Sequence, residues 1–214
     1  MSSKPMEIVS AEYLGSYVDY QKCPSPHLPE YAFIGRSNVG KSSLINMLTG
    51  KTHLAKVSRA PGKTQTINHF LVNKSWYLVD LPGYGFAQRS QAQRSQWERM
   101  ISEYLRHRKN LVSVFVLLDS RLTPQKLDLE FIRRLGEWQL PFQMVFTKTD
   151  KSTQAAVAAN VRSFLDALRE EWEFLPAHFL SSALKRQGRS EILEYIQEHN
   201  LRFRAYADSD PSGS

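Results

Sequence analysis

One octapeptide restricts this chain more than any other feature. Residues 35–42 read GRSNVGKS, matching G-x-x-x-x-G-K-[ST], between the apolar run YAFI at 31–34 and the helix-forming SLINML at 43–48. A strand, a glycine-bounded loop and a helix in that order turn backbone N–H groups into the loop and place the positive helix end behind them. That arrangement suits phosphate oxygens. Gly35, Arg36, Ser37, Asn38, Val39, Gly40, Lys41, Ser42 and Ser43 are therefore candidate phosphate-binding residues. Lys41 would bridge two phosphates and act as the catalytic cation, and the Ser42 hydroxyl would ligate Mg²⁺.

Apolar runs at 31–34, 69–72, 76–80, 112–119, 142–147 and 178–181 read as strands, most of them apolar throughout, as strands buried on both faces should be. Between them, 91–107 carries Trp97, Met100, Ile101, Tyr104 and Leu105 at helical spacing, and 124–138 carries Leu127, Phe131, Ile132 and Leu135. Two further helices are expected near 153–172 and 190–204. Strands alternating with helices predict an α/β, three-layer, doubly wound domain: a mostly parallel six-stranded sheet with helices on both faces. A length of 214 residues fits one domain, and 42% apolar with 23% charged residues suffices for a sizeable core. The expected division is an N-terminal extension packed on the domain (1–30), the domain itself (31–205) and a disordered tail (206–214) ending in SDPSGS. Cys23 is the only cysteine, so neither an internal disulfide nor a cysteine metal cluster can form. The opening MSSKPMEIVSAEYL lacks the apolar core of a signal peptide, and no run approaches 18 apolar residues, so a cytoplasmic monomer with no membrane partner is expected.

Four further segments acquire meaning from their order. DLPG at 80–83 ends an apolar strand; alone it is an ordinary turn signal, but here Asp80 stands where a carboxylate can hold a Mg²⁺-bound water, flanked by Leu81 and Pro82. Gly83 would offer its N–H to a γ-phosphate. The loop APGKTQT at 60–66, with Gly62, Lys63, Thr64, Gln65 and Thr66, can order around metal and phosphate; Thr64 is the first choice for a second Mg²⁺ hydroxyl and a catalytic role, Thr66 the second. After the run at 142–146, Thr147, Lys148, Thr149 and Asp150 form a base reader. Asp150 can accept two hydrogen bonds from N1–H and N2–H₂ of guanine, a pairing adenine does not offer. Leu180, Ser181, Ser182 and Ala183 follow the last strand, where backbone N–H groups would reach the guanine O6.

Five motifs in this order resemble the translation-factor-like, Ras-like GTPases, and three stretches are narrower: GRSNVGKSSLIN at 35–46, PGKTQTIN at 61–68 and DLPGYGFA at 80–87. Together with TKTDK at 147–151 they resemble the EngB family of bacterial GTPases, also called YihA or YsxC, over nearly the whole chain. The resemblance implies GTP and GDP as ligands, Mg²⁺ as cofactor, a GTP-hydrolysing switch, and a role in assembling the large ribosomal subunit with its rRNA and proteins as partners. It also implies two features of mechanism. Many GTPases orient the attacking water with a Gln after the D-x-x-G glycine; Tyr84 stands there, which implies slow intrinsic turnover. Asn38 matches a position at which some related GTPases bind K⁺, and it reads equally well as a plain turn residue.

Net charge is +7, and residues 31–79 hold seven cations (Arg36, Lys41, Lys51, Lys56, Arg59, Lys63, Lys74) with no acidic residue. One nucleotide cannot use seven positive charges, so part of that field faces something larger. Arg89, Arg94, Arg99, Arg106, Arg108 and Lys109 near one helix, with Lys185, Arg186, Arg189, Arg202 and Arg204 near the C-terminus, are the candidate RNA surface. A basic face that is merely solvated is the plain alternative. Two other functions compete: a protein-binding GTPase switch in cell division or signalling with no RNA partner, and a phosphoryl-transfer kinase, against which the base reader speaks.

Overall fold

In a computed structural model that describes residues 6–55, 66–85 and 90–209, the chain runs through β1 (Ala11–Tyr17), β2 (Glu30–Gly35), α1 (Lys41–Thr49), β3 (Ile67–Val72), β4 (Trp76–Asp80), α2 (Gln91–His107), β5 (Leu111–Asp119), α3 (Lys126–Glu137), β6 (Phe142–Thr147), α4 (Gln154–Arg169), β7 (His178–Leu180) and α5 (Arg189–Ser209). The strands form one sheet in the order β1-β3-β4-β2-β5-β6-β7. β4, β2, β5, β6 and β7 are mutually parallel; β3 runs antiparallel to β4, and β1 antiparallel to β3.

The sheet therefore has seven strands where the sequence predicts six. The added one is β1, within the expected extension. An edge strand needs only one neighbour and buries little, and AEYLGSY carries a bulge between Tyr13 and Gly15 that breaks the period-2 alternation. The Asn73 carboxamide, at the β3–β4 turn, fastens the residues before it: its oxygen accepts the Val9 N–H at 2.8 Å, and its nitrogen donates to the Glu7 carbonyl at 2.7 Å. At the other terminus α5 continues through Ser209, so residues 206–209, assigned to a disordered tail by composition, are helical.

Strand β2 is buried at all six positions because each face meets a different core. Ala32 and Ile34 pack with Ile101 and Leu105 of α2, Ile132 and Leu135 of α3 and Phe164 of α4. Tyr31 and Phe33 pack on the opposite face with Leu44 and Leu48 of α1 and Ile192 and Ile196 of α5. Two apolar faces explain why the strand reads as an unbroken apolar run.

At the start of β2 a charge is sealed in. Glu30 is fully buried, accepting from the Tyr104 hydroxyl, from Arg108 at 2.7 Å and from Asn110 at 3.2 Å, with His69 Nε2 at 3.3 Å. Arg108, the C-cap of α2, also donates to the Pro24 carbonyl at 3.0 Å. Burial alone would raise the Glu30 pKa, but hydrogen bonds from His69 and Arg108 outweigh it and lower the value from 4.5 to about 2. A depressed carboxylate pKa stabilises the fold fully above its unfolded value and loses that contribution as pH falls through the folded one. Glu30→Gln should destabilise the protein by about 3–5 kcal/mol at pH 7, since it leaves Arg108 buried beside a neutral group. In urea unfolding followed from pH 7 downward, the gap between parent and variant should close between about pH 4.5 and 2, and a gap that stays constant there would refute the assignment.

Candidate functional site

The parallel strands end together, and their following loops meet at one edge. Gly35 closes β2, Asp80 closes β4, Asp119 closes β5, Thr147 closes β6 and Leu180 closes β7, and in register Asp119 lies opposite Thr147 and Gly35 opposite Leu117. The carboxyl edge of an open α/β sheet is where ligands bind, because the loops there are free to vary while the strands hold their bases.

Loop 35–42 follows β2 with Asn38 (φ 60°) and Gly40 (φ 103°) in the left-handed region, which turns successive N–H groups inward. No side chain caps α1: its N-cap is Gly40, so the first-turn N–H groups face the loop. The ammonium of Lys41 forms a close ion pair with Asp80. Ser37 Oγ is buried with no hydrogen-bond partner among the described residues, a polar atom suited to a ligand oxygen. The 80–84 segment lies against this loop. Leu81 N–H donates to Phe33 O at 3.0 Å and Tyr84 N–H to Gly35 O at 3.2 Å. A Cβ at Gly83 would stand 2.7 Å from Gly35 O, so only glycine permits this approach.

On the base side, Lys148 (φ 61°) sends its ammonium back over the loop, donating to Asn38 O at 2.6 Å and Asp119 Oδ2 at 2.8 Å. The Thr147 hydroxyl meets Val39 O at 2.6 Å. Burial would raise the Asp119 pKa, yet hydrogen bonds from Arg121 and Lys148 prevail and hold it at about 2, so the carboxylate stays charged at neutral pH. Asp150 accepts from the Ser182 hydroxyl at 2.6 Å through Oδ1, which lowers its pKa; Oδ2, with Lys151 Nζ at 3.4 Å, has no hydrogen-bond partner among the described residues. A cavity of about 240 Å³ joins the two halves, lined by Gly40 and Ser43 on one side and by Thr147, Lys148, Asp150, Ser181 and Ala183 on the other.

Several sequence expectations change in detail. Gly62, Lys63, Thr64 and Gln65 lie outside the described residues. The Thr66 hydroxyl donates to Asn68 at 3.1 Å, and Thr149 Oγ1 donates to Gln187 at 2.7 Å. Of the triplet 181–183, Ser181 N–H donates to Phe146 O at 2.8 Å and Ser182 N–H to Gln187 O at 3.3 Å, because both continue strand-like pairing. Ala183, on the cavity wall, is the member placed to offer an amide to a ligand. Tyr84 is 6% exposed, stacked on Phe131 at 4.7 Å with its hydroxyl donating to Asp128 at 2.8 Å, so its side chain belongs to the core. Two members of the expected basic surface are structural: Arg108 is buried on Glu30, and Arg189 donates to Met47 O and Leu48 O, satisfying the carbonyls at the end of α1. Arg89 lies outside the described residues. Lys151 and Leu184 line the same cavity and Asp119 anchors the Lys148 ammonium, and none of the three is among the site residues expected from sequence. Asp119 had a usable signal, since it ends an apolar strand just as Asp80 does.

Comparison with known proteins supplies a family. Residues 30–148 match the family model described as 50S ribosome-binding GTPase. A probable GTP-binding protein EngB from Phocaeicola vulgatus is 54% identical over 94% of this chain and 100% of its own, and one from Bacteroides thetaiotaomicron is 55% identical over 90% and 95%. Among solved structures, the crystal structure of a probable GTP-binding protein engB superposes with a TM-score of 0.62 at 26% identity, covering 81% of this chain and 99% of that one. Aquifex aeolicus Era bound to GDP·AlF4⁻ shares the fold at a TM-score of 0.62 and 20% identity, over 80% of this chain and 56% of its own.

The Asp150 geometry generates a prediction. Replacing its carboxylate by an amide turns one acceptor into a donor facing the same cavity. Asp150→Asn should weaken guanine-nucleotide affinity by about two orders of magnitude and shift preference toward xanthine, whose C2 oxygen accepts. Titration of parent and variant with GDP and XDP would check it, and unchanged GDP affinity would remove Asp150 from the site.

Proposed function

Because the chain belongs to the EngB family, within the 50S ribosome-binding GTPases, we propose that it is a GTP-binding and GTP-hydrolysing switch that assists assembly of the large ribosomal subunit. The observation that carries the nucleotide half is Asp150: its carboxylate is oriented by Ser182 with one oxygen left unpartnered among the described residues, and the residue lines a cavity shared with the phosphate loop. The phosphates would lie on loop 35–42, with Lys41 leaving Asp80 for the β- and γ-phosphates and the base between Lys148 and Asp150.

Mg²⁺ fits this donor set. Among the described residues no cluster of three His, Cys, Asp or Glu could hold a metal unaided, and the residues on hand are one hydroxyl, Ser42, and one carboxylate, Asp80, with Thr64 as the third in our reading. A sparse set of that kind suits an ion that keeps waters and takes its remaining ligands from substrate phosphates. When bound, the ion would neutralise charge on the transferring phosphoryl group. Asn38 holds a left-handed turn through its backbone, which serves the loop with or without K⁺. The residue after the DLPG glycine is Tyr84, bonded to Asp128, and not the carboxamide with which many GTPases orient the attacking water, which supports slow intrinsic turnover raised by a partner.

The ribosomal half rests on the family and on charge. Lys51, Lys185 and Arg186 are exposed, and each faces solvent on loops beside the base cavity or the end of α1. The test is sedimentation with purified large and small ribosomal subunits, in GDP and in a non-hydrolysable GTP analogue, over a salt series. Analogue-dependent binding to the large subunit that weakens with salt is the expected result. Binding to neither subunit would overturn the ribosomal role and leave a switch acting on a protein partner.

A further inference from the structure

Asp128 lies in the first turn of α3 and is 2% exposed, outside every motif of the nucleotide site. A buried carboxylate needs charge and hydrogen bonds around it, and here one oxygen gathers both. Asp128 Oδ1 accepts the Tyr84 hydroxyl at 2.8 Å and stands 3.2 Å from Arg36 Nε. These partners come from opposite walls of the phosphate site. Arg36 is the second residue of the phosphate loop, and Tyr84 directly follows the glycine of the DLPG segment. Their backbones are also bridged to each other.

The consequence falls on Gly83. Its position relative to the loop is set by the Tyr84 N–H to Gly35 O bond and by the side chain of Tyr84, stacked on Phe131 and bonded to Asp128. Gly83 is thereby held close to the backbone of Gly35, Arg36 and Ser37, and on the nucleotide-site reading above its N–H would meet the γ-phosphate. Next to Tyr84, a Cβ at Gly85 would meet Leu127 of α3, so the same helix borders two successive residues of the segment. Trp97 of α2 completes the set by donating its indole N–H to Pro82 O at 3.1 Å.

We propose that Asp128 is a positioning residue for γ-phosphate recognition, a latch from α3 that clamps the phosphate loop and the DLPG segment in the arrangement a nucleoside triphosphate requires. The latch rests on the nucleotide-site reading above and adds to it a residue of α3 that touches no ligand. Because it acts on the third phosphate alone, loss of the latch should separate triphosphate from diphosphate affinity. Loss of a purely structural residue would weaken both alike.

The test uses Tyr84→Phe, which deletes one hydroxyl and keeps the ring, and Asp128→Asn, which keeps the shape and removes the charge facing Arg36. Fluorescent GDP and a fluorescent non-hydrolysable GTP analogue are titrated into parent and variants with Mg²⁺, and thermal unfolding is recorded alongside. Both variants should bind the analogue about three- to tenfold more weakly while GDP affinity stays within about twofold. The emission change of Trp97 on analogue binding, isolated by comparison with Trp97→Phe, should shrink in both. An unchanged ratio of the two affinities in variants that bind GDP normally, or an equal loss of both, would overturn the latch and leave the site reading intact. A parent protein that binds neither nucleotide would remove the site and the latch together.

Discussion

The ammonium of Lys148 joins the two halves of the site. Loop 35–42 follows β2 and the segment 148–150 follows β6, and β5 lies between them in the sheet. Two strand spacings amount to roughly 10 Å, too far for backbone groups to meet and within reach of a long side chain. Lys148 crosses that gap. Its positive charge rests on Asp119 at the end of the intervening strand, and its tip bonds the Asn38 carbonyl beyond. Asp119 is kept ionised by Arg121 and by Lys148 itself, so the bridge is a charge-assisted network and not a lone ion pair exposed to salt. The Thr147 hydroxyl repeats the crossing one residue earlier, to Val39. Relative placement of loop 35–42 and the segment 147–150 is thus fixed by side chains of that segment itself.

How much of this was legible in the sequence depends on whether the determining interaction was local. Strands β4 and β6 were bounded correctly because both are apolar runs with unambiguous ends, and α2 because Ser90 and Gln93 form a capping box ahead of its periodic stripe. The loop residues Gly35 to Ser42 were legible for a similar reason: glycines and lysine at fixed offsets report a backbone shape. Strand β1 was not, since its register comes from β3, fifty or more residues away, and from a bulge. Nor were the roles of Asp119, Asp128 and Tyr84, each decided by a partner on another element.

The basic surface shows the limit most clearly. Arg108 and Lys109 are neighbours and carry the same charge, yet Arg108 is sealed against Glu30 and Lys109 is exposed. A count of cations records charge; it does not separate an exposed cation from the guanidinium that neutralises a buried carboxylate. The same holds for Arg189, whose guanidinium closes the end of α1. Net charge of +7 therefore overstates the surface open to a polyanion.

Glu30 and Gly35 stand at opposite ends of β2, and α2 is tied to events at both. Near its C-terminus, Tyr104 and Arg108 hold the Glu30 carboxylate; two turns earlier, Trp97 bonds the Pro82 carbonyl beside the phosphate loop. The first tie is buried and ionic, costly to break because either partner would be left charged and desolvated. The second is a single neutral hydrogen bond, with a net worth of about 1 kcal/mol. The unequal strengths assign the two ends different parts: the Glu30 end is the fixed support of the helix, and the Trp97 end is held to the DLPG segment by a bond that costs far less to break.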